Sequence, residues 1–167
     1  MSGPADLSCT LALPDAEATA RLGRWLAGRL APGDCLLLTG GIGAGKTHLA
    51  RAFIAARQAA AGEPAEHIPS PSFTLVQTYR AGDDEIWHAD LYRLGDPGEV
   101  AELGLDTALG TALCIVEWAD RLPAALMPGA ALRIDLATAG EGRIAALQAA
   151  GAVAGRIREL CGGLPDA

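Results

Sequence analysis

The feature that most constrains this chain is a glycine-rich segment that lies between an apolar run and a stretch with helical spacing. Residues 40–47 read Gly-Gly-Ile-Gly-Ala-Gly-Lys-Thr. They follow the continuous apolar run 35–39, which is typical of a buried central strand, and they precede residues 49–60, which predict a helix. A glycine, four residues, a second glycine, a lysine and a threonine in that setting form the P-loop pattern. The segment therefore predicts a phosphate-binding loop in an α/β fold.

Each residue type in this loop has a physical role in holding phosphate. Glycines let backbone N–H groups approach an anion without a side-chain clash, and the helix N-terminus adds a positive dipole end. Lys46 is expected to reach the terminal phosphates, and Thr47 to ligate Mg²⁺ through its hydroxyl. The alternative is a glycine-rich turn with a surface lysine. We disfavour it because Lys46 is the only lysine beside twelve arginines, as expected where an ammonium is required and a guanidinium does not serve.

Residue types that the chain lacks narrow the choice of nucleotide. It has no asparagine and no second lysine, so the Asn-Lys-x-Asp element that selects guanine in the common GTPase fold is absent. It also has no Gly-x-Gly-x-x-Gly spacing, which excludes the dinucleotide fingerprint. ATP is therefore the predicted ligand. The residues predicted to bind it are Gly41, Ile42, Gly43, Ala44, Gly45, Lys46, Thr47, His48 and Trp118.

Two acidic residues end predicted strands. Asp90 follows Ile86-Trp87-His88-Ala89, and Glu117 follows the apolar run 113–116. P-loop hydrolases use such strand-end carboxylates to hold the magnesium shell or to orient the attacking water. The predicted catalytic residues are Lys46, Asp90 and Glu117, and the predicted metal ligands are Thr47, Ser72, Asp90 and Glu117.

Several residues near these acids leave alternatives open. Each acid alternatively faces water or pairs with an arginine, Arg93 or Arg121. His88 is either a catalytic base or, as is commoner for a histidine in a strand, a hydrogen-bonded structural residue. Trp118 either packs in the core or stacks on the base. Ser72 ends a proline-rich loop that is either a nucleotide-sensing switch or an inert connector.

The rest of the pattern predicts a single α/β domain, residues 1–167, with a P-loop NTPase fold and a sheet flanked by helices. A hairpin predicted around Gly82-Asp83 makes the sheet mixed parallel and antiparallel instead of purely parallel. The predicted strands are 7–13, 35–39, 73–79, 85–91, 112–118, 131–137 and 143–148. The predicted helices are one opened by Pro14-Asp15 and stopped by Gly33, one that ends near Gly62, and those at 98–103 and 152–161.

Charge and cysteine usage bear on partners and location. Thirteen basic and twenty acidic residues give a net charge of −7, which disfavours tight independent binding of DNA or RNA. The four cysteines show no CxxC spacing and lie mostly in apolar runs, so we expect buried, reduced thiols. The N-terminus lacks the layout of a secretion signal, and no apolar run reaches membrane-spanning length. These observations predict a cytoplasmic protein without a membrane partner.

Taken together, four motifs resemble the TsaE (YjeE) family, small bacterial P-loop ATPases required for making threonylcarbamoyladenosine in tRNA. Besides the loop at 40–47, they are Ser-Pro-Ser-Phe-Thr-Leu-Val at 70–76, His-Ala-Asp-Leu-Tyr-Arg-Leu at 88–94 and Val-Glu-Trp at 116–118. Their order and spacing are much more specific than the P-loop alone, and the resemblance covers nearly the whole chain.

The resemblance implies an ATPase that uses Mg²⁺ and works with the subunits TsaB and TsaD, with tRNA contacted only indirectly. Ser72 would lie in the switch loop, hydrolysis would depend on Asp90 and Glu117, and Trp118 would lie beside the nucleotide. ATP hydrolysis would reset the TsaB–TsaD assembly between turnovers. Two departures from the family pattern are the serine at position 72, where threonine is usual, and Ala119-Asp120, where proline and an acid commonly follow the tryptophan.

Two other functions compete with this interpretation. A small-molecule or nucleoside kinase has a similar size, but such kinases usually carry an arginine-rich lid, and this chain has no clustered run of arginines. A non-catalytic nucleotide-sensing adaptor would bind ATP and a partner without releasing phosphate. For the ATPase we expect slow activity in isolation, because no arginine is obviously placed as a finger in cis.

Overall fold

The computed structural model describes residues 6–166 and contains one seven-stranded sheet. The predicted absence of a secretion signal concerns an N-terminus whose first five residues lie outside that range. The strands are β1 (Leu7–Leu13), β2 (Cys35–Gly40), β3 (Val76–Ala81), β4 (Asp84–Asp90), β5 (Leu113–Glu117), β6 (Ala131–Ala139) and β7 (Gly142–Ala149). Their order across the sheet is β1-β7-β6-β2-β5-β4-β3.

The sheet is mixed, as the sequence predicted. Strand β2 lies between β6 and β5 and is parallel to both, and β4 is parallel to β5. The pairs β3–β4, β6–β7 and β1–β7 are antiparallel. Because the carboxyl ends of parallel strands meet at one edge of a sheet, the ends of β2, β5 and β4 lie side by side.

The helices are α1 (Ala16–Ala27), α2 (Lys46–Ala60), α3 (Glu99–Glu102), α4 (Leu105–Ala108) and α5 (Gly151–Ile157), with short 3₁₀ turns at Ala119–Arg121, Ala124–Leu126 and Arg158–Gly162. The short helix predicted over 98–103 is confirmed as α3. A further helix that was not predicted, α4, follows after Gly104, where φ is +79°. The helix predicted over 152–161 is α5 followed by a 3₁₀ turn.

The predicted end of the first helix at Gly33 is wrong. Asp15 caps α1 by accepting a hydrogen bond from the Ala18 N–H at 2.8 Å, but the helix ends at Ala27 with Gly28 as its C-cap. Leu30 lies beyond the helix and is still buried, at 2% exposure. Its burial continues the apolar spacing past the helix end, which is why the pattern overextended the helix.

Apolar side chains cover both faces of the sheet. Leu36 and Leu38 of β2 belong to the core cluster that includes the buried side chains of α1 and α2. Leu37, which points to the opposite face, packs in a second cluster with Val100 of α3 and Leu105 of α4. This alternation is what a central strand covered on both sides produces.

The expectation of four reduced cysteines is wrong for one pair. Cys9 of β1 and Cys161 of the C-terminal 3₁₀ turn form a disulfide with Cα atoms 5.6 Å apart. The two cysteines are 152 positions apart in sequence, and no local pattern indicates that the fold brings them together. Cys35 and Cys114 are buried free thiols, as predicted.

Within residues 6–166, no helix combines the length and the apolar character needed to cross a bilayer.

Candidate nucleotide site

The predicted phosphate loop connects β2, which ends at Gly40, to α2, which begins at Lys46. Gly40 has φ of +135°, and a Cβ atom at this position would lie 2.3 Å from the carbonyl oxygen of Leu136. Gly45, the N-cap of α2, has φ of +104°. Residues with side chains rarely adopt such angles, so the path of the loop depends on glycine at these two positions.

A cavity of about 370 Å³ opens over this loop. The predicted residues that line it are Ile42, Gly43, Ala44, Gly45, Lys46, Thr47, His48, Asp90, Glu117 and Trp118. The structure thus brings together residues from the loop, from α2 and from the ends of β4 and β5. Gly41 and Ser72, the other two predicted binding residues, do not line the cavity.

The predicted phosphate-binding lysine is buried. Lys46 is 5% exposed, and its Nζ donates hydrogen bonds to the carbonyl oxygens of Gly40 and Gly41, each at 2.7 Å. The same Nζ lies 4.3 Å from the centroid of the Trp118 ring. Burial lowers the pKa of the ammonium, and the nearby Glu117 carboxylate opposes that shift. These contacts contradict the alternative of a surface lysine.

Glu117 joins the loop helix to the neighbouring strand. Its side chain is 1% exposed, and its Oε1 accepts a hydrogen bond from the Thr47 hydroxyl at 2.6 Å. Its Oε2 lies 2.6 Å from Nε2 of His88. The backbone register explains the placement, because Glu117 of β5 pairs with Leu38 of β2 and with Asp90 of β4. The two predicted acids are therefore neighbours across the sheet.

Asp90 is the second buried acid, with 4% exposure. Its Oδ1 accepts a hydrogen bond from the Tyr92 N–H at 2.9 Å. Burial raises the pKa of the Asp90 carboxyl, the Tyr92 hydrogen bond opposes the shift, and the nearby Glu117 carboxylate adds to it. A carboxylate with a raised pKa is a better proton acceptor than an ordinary aspartate.

The alternative that these acids pair with Arg93 or Arg121 is wrong. The Arg93 guanidinium lies over the Phe73 ring, 4.5 Å from its centroid, and that of Arg121 lies 5.7 Å from the Tyr92 centroid. Within residues 6–166, neither acid forms an ion pair with an arginine. Both acids are buried from water and line the cavity over the loop.

The proline-rich loop runs beside Asp90 without bringing Ser72 into the cavity. The predicted strand over 73–79 begins later, at Val76, because Leu75 turns back with φ of +66° and its N–H donates to the Pro71 carbonyl at 2.8 Å. The Leu75 carbonyl accepts a hydrogen bond from the Asp90 N–H at 2.8 Å. The loop is thereby joined to the backbone of the acid, and Ser72 itself is half-buried.

The structure confirms the core-packing alternative for Trp118, and stacking on a base stays a prediction. Trp118 is half-buried against the core cluster that contains Leu37, and it also lines the cavity. Its φ of +55° is uncommon for a residue with a side chain. The ring contacts that of Tyr92, with centroids 4.8 Å apart. Sequence reasoning did not single out Tyr92, although its position two residues after Asp90 was a signal.

Arg143 is a loop-supporting residue that the sequence did not reveal. From β7 its guanidinium donates to the carbonyl oxygens of Ala44 at 3.1 Å and Gly43 at 3.0 Å. His48 makes a comparable link, since its Nε2 lies 2.9 Å from the Ala16 carbonyl at the start of α1. No local pattern predicts the Arg143 contact, because about a hundred residues separate the partners.

The oxygen donors at this site fit Mg²⁺. The Thr47 hydroxyl and the carboxylates of Glu117 and Asp90 are hard ligands of the kind this cation prefers. Mg²⁺ bound with a nucleotide takes most of its ligands from phosphates and water, so one or two protein groups suffice. In the described part of the chain, no group of three or more His, Cys, Asp or Glu side chains is arranged to hold a metal ion.

Comparison with known proteins gives one consistent result. The family model for "Threonylcarbamoyl adenosine biosynthesis protein TsaE" matches residues 13–145. The chain is 42% identical over 118 residues to "tRNA threonylcarbamoyladenosine biosynthesis protein TsaE" of Rickettsia felis, covering 71% of this chain and 67% of that protein. A Rickettsia conorii protein of the same description is 43% identical over 112 residues, but the match spans only 62% of its length.

A relative from Bacillus subtilis with the same description is 36% identical over 127 residues, which is 75% of each chain. The crystal structure of Bacillus subtilis YdiB superposes with a TM-score of 0.65 at 29% identity, covering 97% of this chain and 95% of that one. This likeness confirms the predicted fold class, a P-loop NTPase fold with a mixed sheet flanked by helices.

Proposed function

This chain belongs to the TsaE family of threonylcarbamoyl adenosine biosynthesis proteins, and from that membership we propose that it is a Mg²⁺-dependent ATPase. Its hydrolysis of ATP would reset a TsaB–TsaD assembly between rounds of tRNA modification. The observation that carries the proposal is the hydrogen bond between Thr47 and Glu117, 2.6 Å long, beneath a loop that holds a buried lysine. That combination joins a phosphate-binding group, a metal-binding hydroxyl and an acid in one cavity.

The loop would grip the triphosphate through its backbone N–H groups and the Lys46 ammonium. Lys46 donates to the carbonyl oxygens of Gly40 and Gly41, and phosphate oxygens are stronger acceptors than these neutral groups. On binding, Lys46 would turn its N–H groups toward the terminal phosphates. The Trp118 ring lies against this ammonium, so the fluorescence of Trp118 would change when Lys46 turns toward the phosphates.

The two acids would divide the chemistry between them. Thr47 and Glu117 would hold bound Mg²⁺, which would neutralise charge on the β- and γ-phosphate oxygens. Asp90 would accept a proton from the attacking water as the water oxygen bonds to the γ-phosphorus and the bond to the ADP oxygen breaks. We assign the base to Asp90 because it lines the cavity and burial raises the pKa of its carboxyl, whereas Glu117 is assigned to the metal.

The proposed partners are TsaB and TsaD, with tRNA contacted only through them and with the cytoplasm as the location. The net charge of −7 supports this arrangement, since an acidic surface repels phosphate backbones. A partner's arginine would also explain how the site reaches a useful rate, because no arginine among residues 6–166 lines the cavity. The guanidinium groups of Arg93 and Arg121 lie over the rings of Phe73 and Tyr92.

Phosphate release in the presence and absence of TsaB and TsaD tests the proposal. We expect slow release by the chain alone and a rise of at least about tenfold in the mixture. Glu117→Gln is expected to retain ATP binding and lose the stimulated release. Arg80→Ala, which removes an exposed charge on β3, is the matched control and is expected to behave as wild type. Binding of ATP and partners without stimulated release would favour the adaptor, and ADP formed only with an added acceptor would favour the kinase.

A further inference from the structure

His88 is the one fully buried titratable side chain at this site whose role the proposed chemistry leaves open. It lies on β4 two residues before Asp90 and is 0% exposed. Its Nε2 lies 2.6 Å from Glu117 Oε2, while the other Glu117 oxygen accepts from the Thr47 hydroxyl at 2.6 Å. His88 does not line the cavity, and its side chain is closed off from solvent. This placement argues against the catalytic base that its residue type suggested.

The hydrogen bonds fix which ring nitrogen carries the proton. The Glu117 carboxylate can only accept, so His88 Nε2 must donate. The other ring nitrogen, Nδ1, is buried and has no hydrogen-bond partner within residues 6–166. The geometry therefore makes Nε2 of His88 the donor and Oε2 of Glu117 the acceptor of this hydrogen bond.

We propose that His88 is a positioning residue that fixes the Glu117 carboxylate so that one of its oxygens stays aligned with the metal-binding hydroxyl of Thr47. The inference rests on the proposed function. With His88 in place, both Glu117 oxygens are held and the carboxylate cannot rotate. Without it, the hydrogen bond to Thr47 alone leaves that rotation free, and one buried oxygen loses its donor.

The expected consequence is specific to the metal. Groups that orient metal-binding side chains without touching the ion typically contribute 10- to 100-fold to metal affinity or activity. Phosphate binding by the loop N–H groups and Lys46 does not pass through His88. Loss of His88 should therefore weaken the effect of Mg²⁺ on nucleotide binding and spare the binding measured without metal.

Two variants of the full chain separate positioning from general stability. His88→Leu fills the buried space and removes the donor, whereas His88→Gln retains a side-chain N–H near the position of Nε2. Calorimetry with ADP and with a non-hydrolysable ATP analogue would be performed in EDTA and across a range of MgCl₂ concentrations. We expect the half-maximal MgCl₂ concentration to rise about 10- to 100-fold in His88→Leu, with the affinity in EDTA unchanged, and to return toward the wild-type value in His88→Gln.

A second readout needs neither activity nor a variant. Long-range ¹H–¹⁵N correlation spectra of the nucleotide-free wild type should show a proton on Nε2 of His88. A bare Nε2 overturns the inference, even if His88→Leu fails to fold, because the ring then donates no hydrogen bond to Glu117. Wild-type Mg²⁺ dependence in folded His88→Leu also overturns it, as does equal loss of binding with and without metal in both variants. If the wild type binds no nucleotide under any condition, the proposed function fails and the inference falls with it.

Discussion

The burial of the Asp90 carboxyl lowers the stability of the folded protein when that carboxyl is ionised. Asp90 is almost fully buried, and burial raises the pKa of its carboxyl. A folded-state pKa above the unfolded value means that ionisation destabilises the fold. The penalty is absent below about pH 4, the ordinary aspartate pKa, and it grows as pH rises through the higher folded-state value.

We therefore predict that Asp90→Asn abolishes ATP hydrolysis and yet raises the Tm of the nucleotide-free protein at pH 7. The gain should shrink to nothing as the pH falls below about 4. Thermal unfolding across this pH range provides the measurement, and Asp83→Asn, at an exposed position, is the control with no expected gain. A lower Tm for Asp90→Asn at pH 7 would show that the carboxylate stabilises the fold instead.

Gly40 makes a second prediction at the residue scale. Gly40→Ala places a Cβ 2.3 Å from the Leu136 carbonyl oxygen at a positive φ, so it should cost more than about 2 kcal/mol and abolish nucleotide binding. A Cβ atom added at Gly41 would have no other atom within 4 Å. The free energy of unfolding of Gly41→Ala should therefore lie within about 1 kcal/mol of the wild-type value. Denaturant unfolding measures both variants. Equal stabilities would refute the steric account of this loop.

At the scale of the element, the sequence predicted those parts of the site that local pattern encodes. The apolar run of β2, the glycines and α2 are contiguous, so the loop was predictable from their order. Asp90 and Glu117 were predictable because each ends an apolar run, although only the register places them side by side. The Arg143 contact and the link from Glu117 to His88 join distant segments and depend on how the strands are ordered. The end of α1 was predicted too late because Leu30 is buried, and a residue can be buried without being part of a helix.

The β6–β7 hairpin is predicted to stiffen the phosphate loop. Arg143 donates two hydrogen bonds to carbonyl oxygens of the loop. If the loss of each hydrogen bond weakens ATP binding by about 1 kcal/mol or less, Arg143→Ala should lower the affinity for ATP about tenfold. Arg80→Ala removes an arginine that is exposed on β3 and should leave affinity unchanged. Equal affinities of Arg143→Ala and wild type by calorimetry would show that the loop keeps its shape without the hairpin.

At the scale of the whole molecule, one covalent bond joins the two ends of the described chain. The Cys9–Cys161 disulfide closes a loop of 152 positions and ties edge strand β1 to the C-terminal 3₁₀ turn. A cytoplasmic location would keep these thiols reduced in the cell. Without the disulfide, β1 would be held by its pairing with β7, which extends along the whole of β1.

Reduction is therefore predicted to lower stability without unfolding the protein. A closed loop of this length stabilises by about 4–5 kcal/mol in the chain-entropy model. Calorimetric unfolding with and without reductant should give one cooperative transition in each case, as expected for a single domain, with a lower Tm when reduced. A Cys9→Ser, Cys161→Ser double variant should match the reduced protein and ignore the reductant. Two separate transitions would contradict the single-domain expectation.

The central claim is that the loop from Gly40 to Thr47 holds the triphosphate of ATP through its backbone and one ammonium. Isothermal calorimetry of ATP with MgCl₂, on the wild type and on Lys46→Ala, tests it most directly. The account predicts saturable binding of one ATP per chain by the wild type and at least about a hundredfold loss in Lys46→Ala. Undetectable binding by the folded wild type, or equal affinity in the variant, would contradict it.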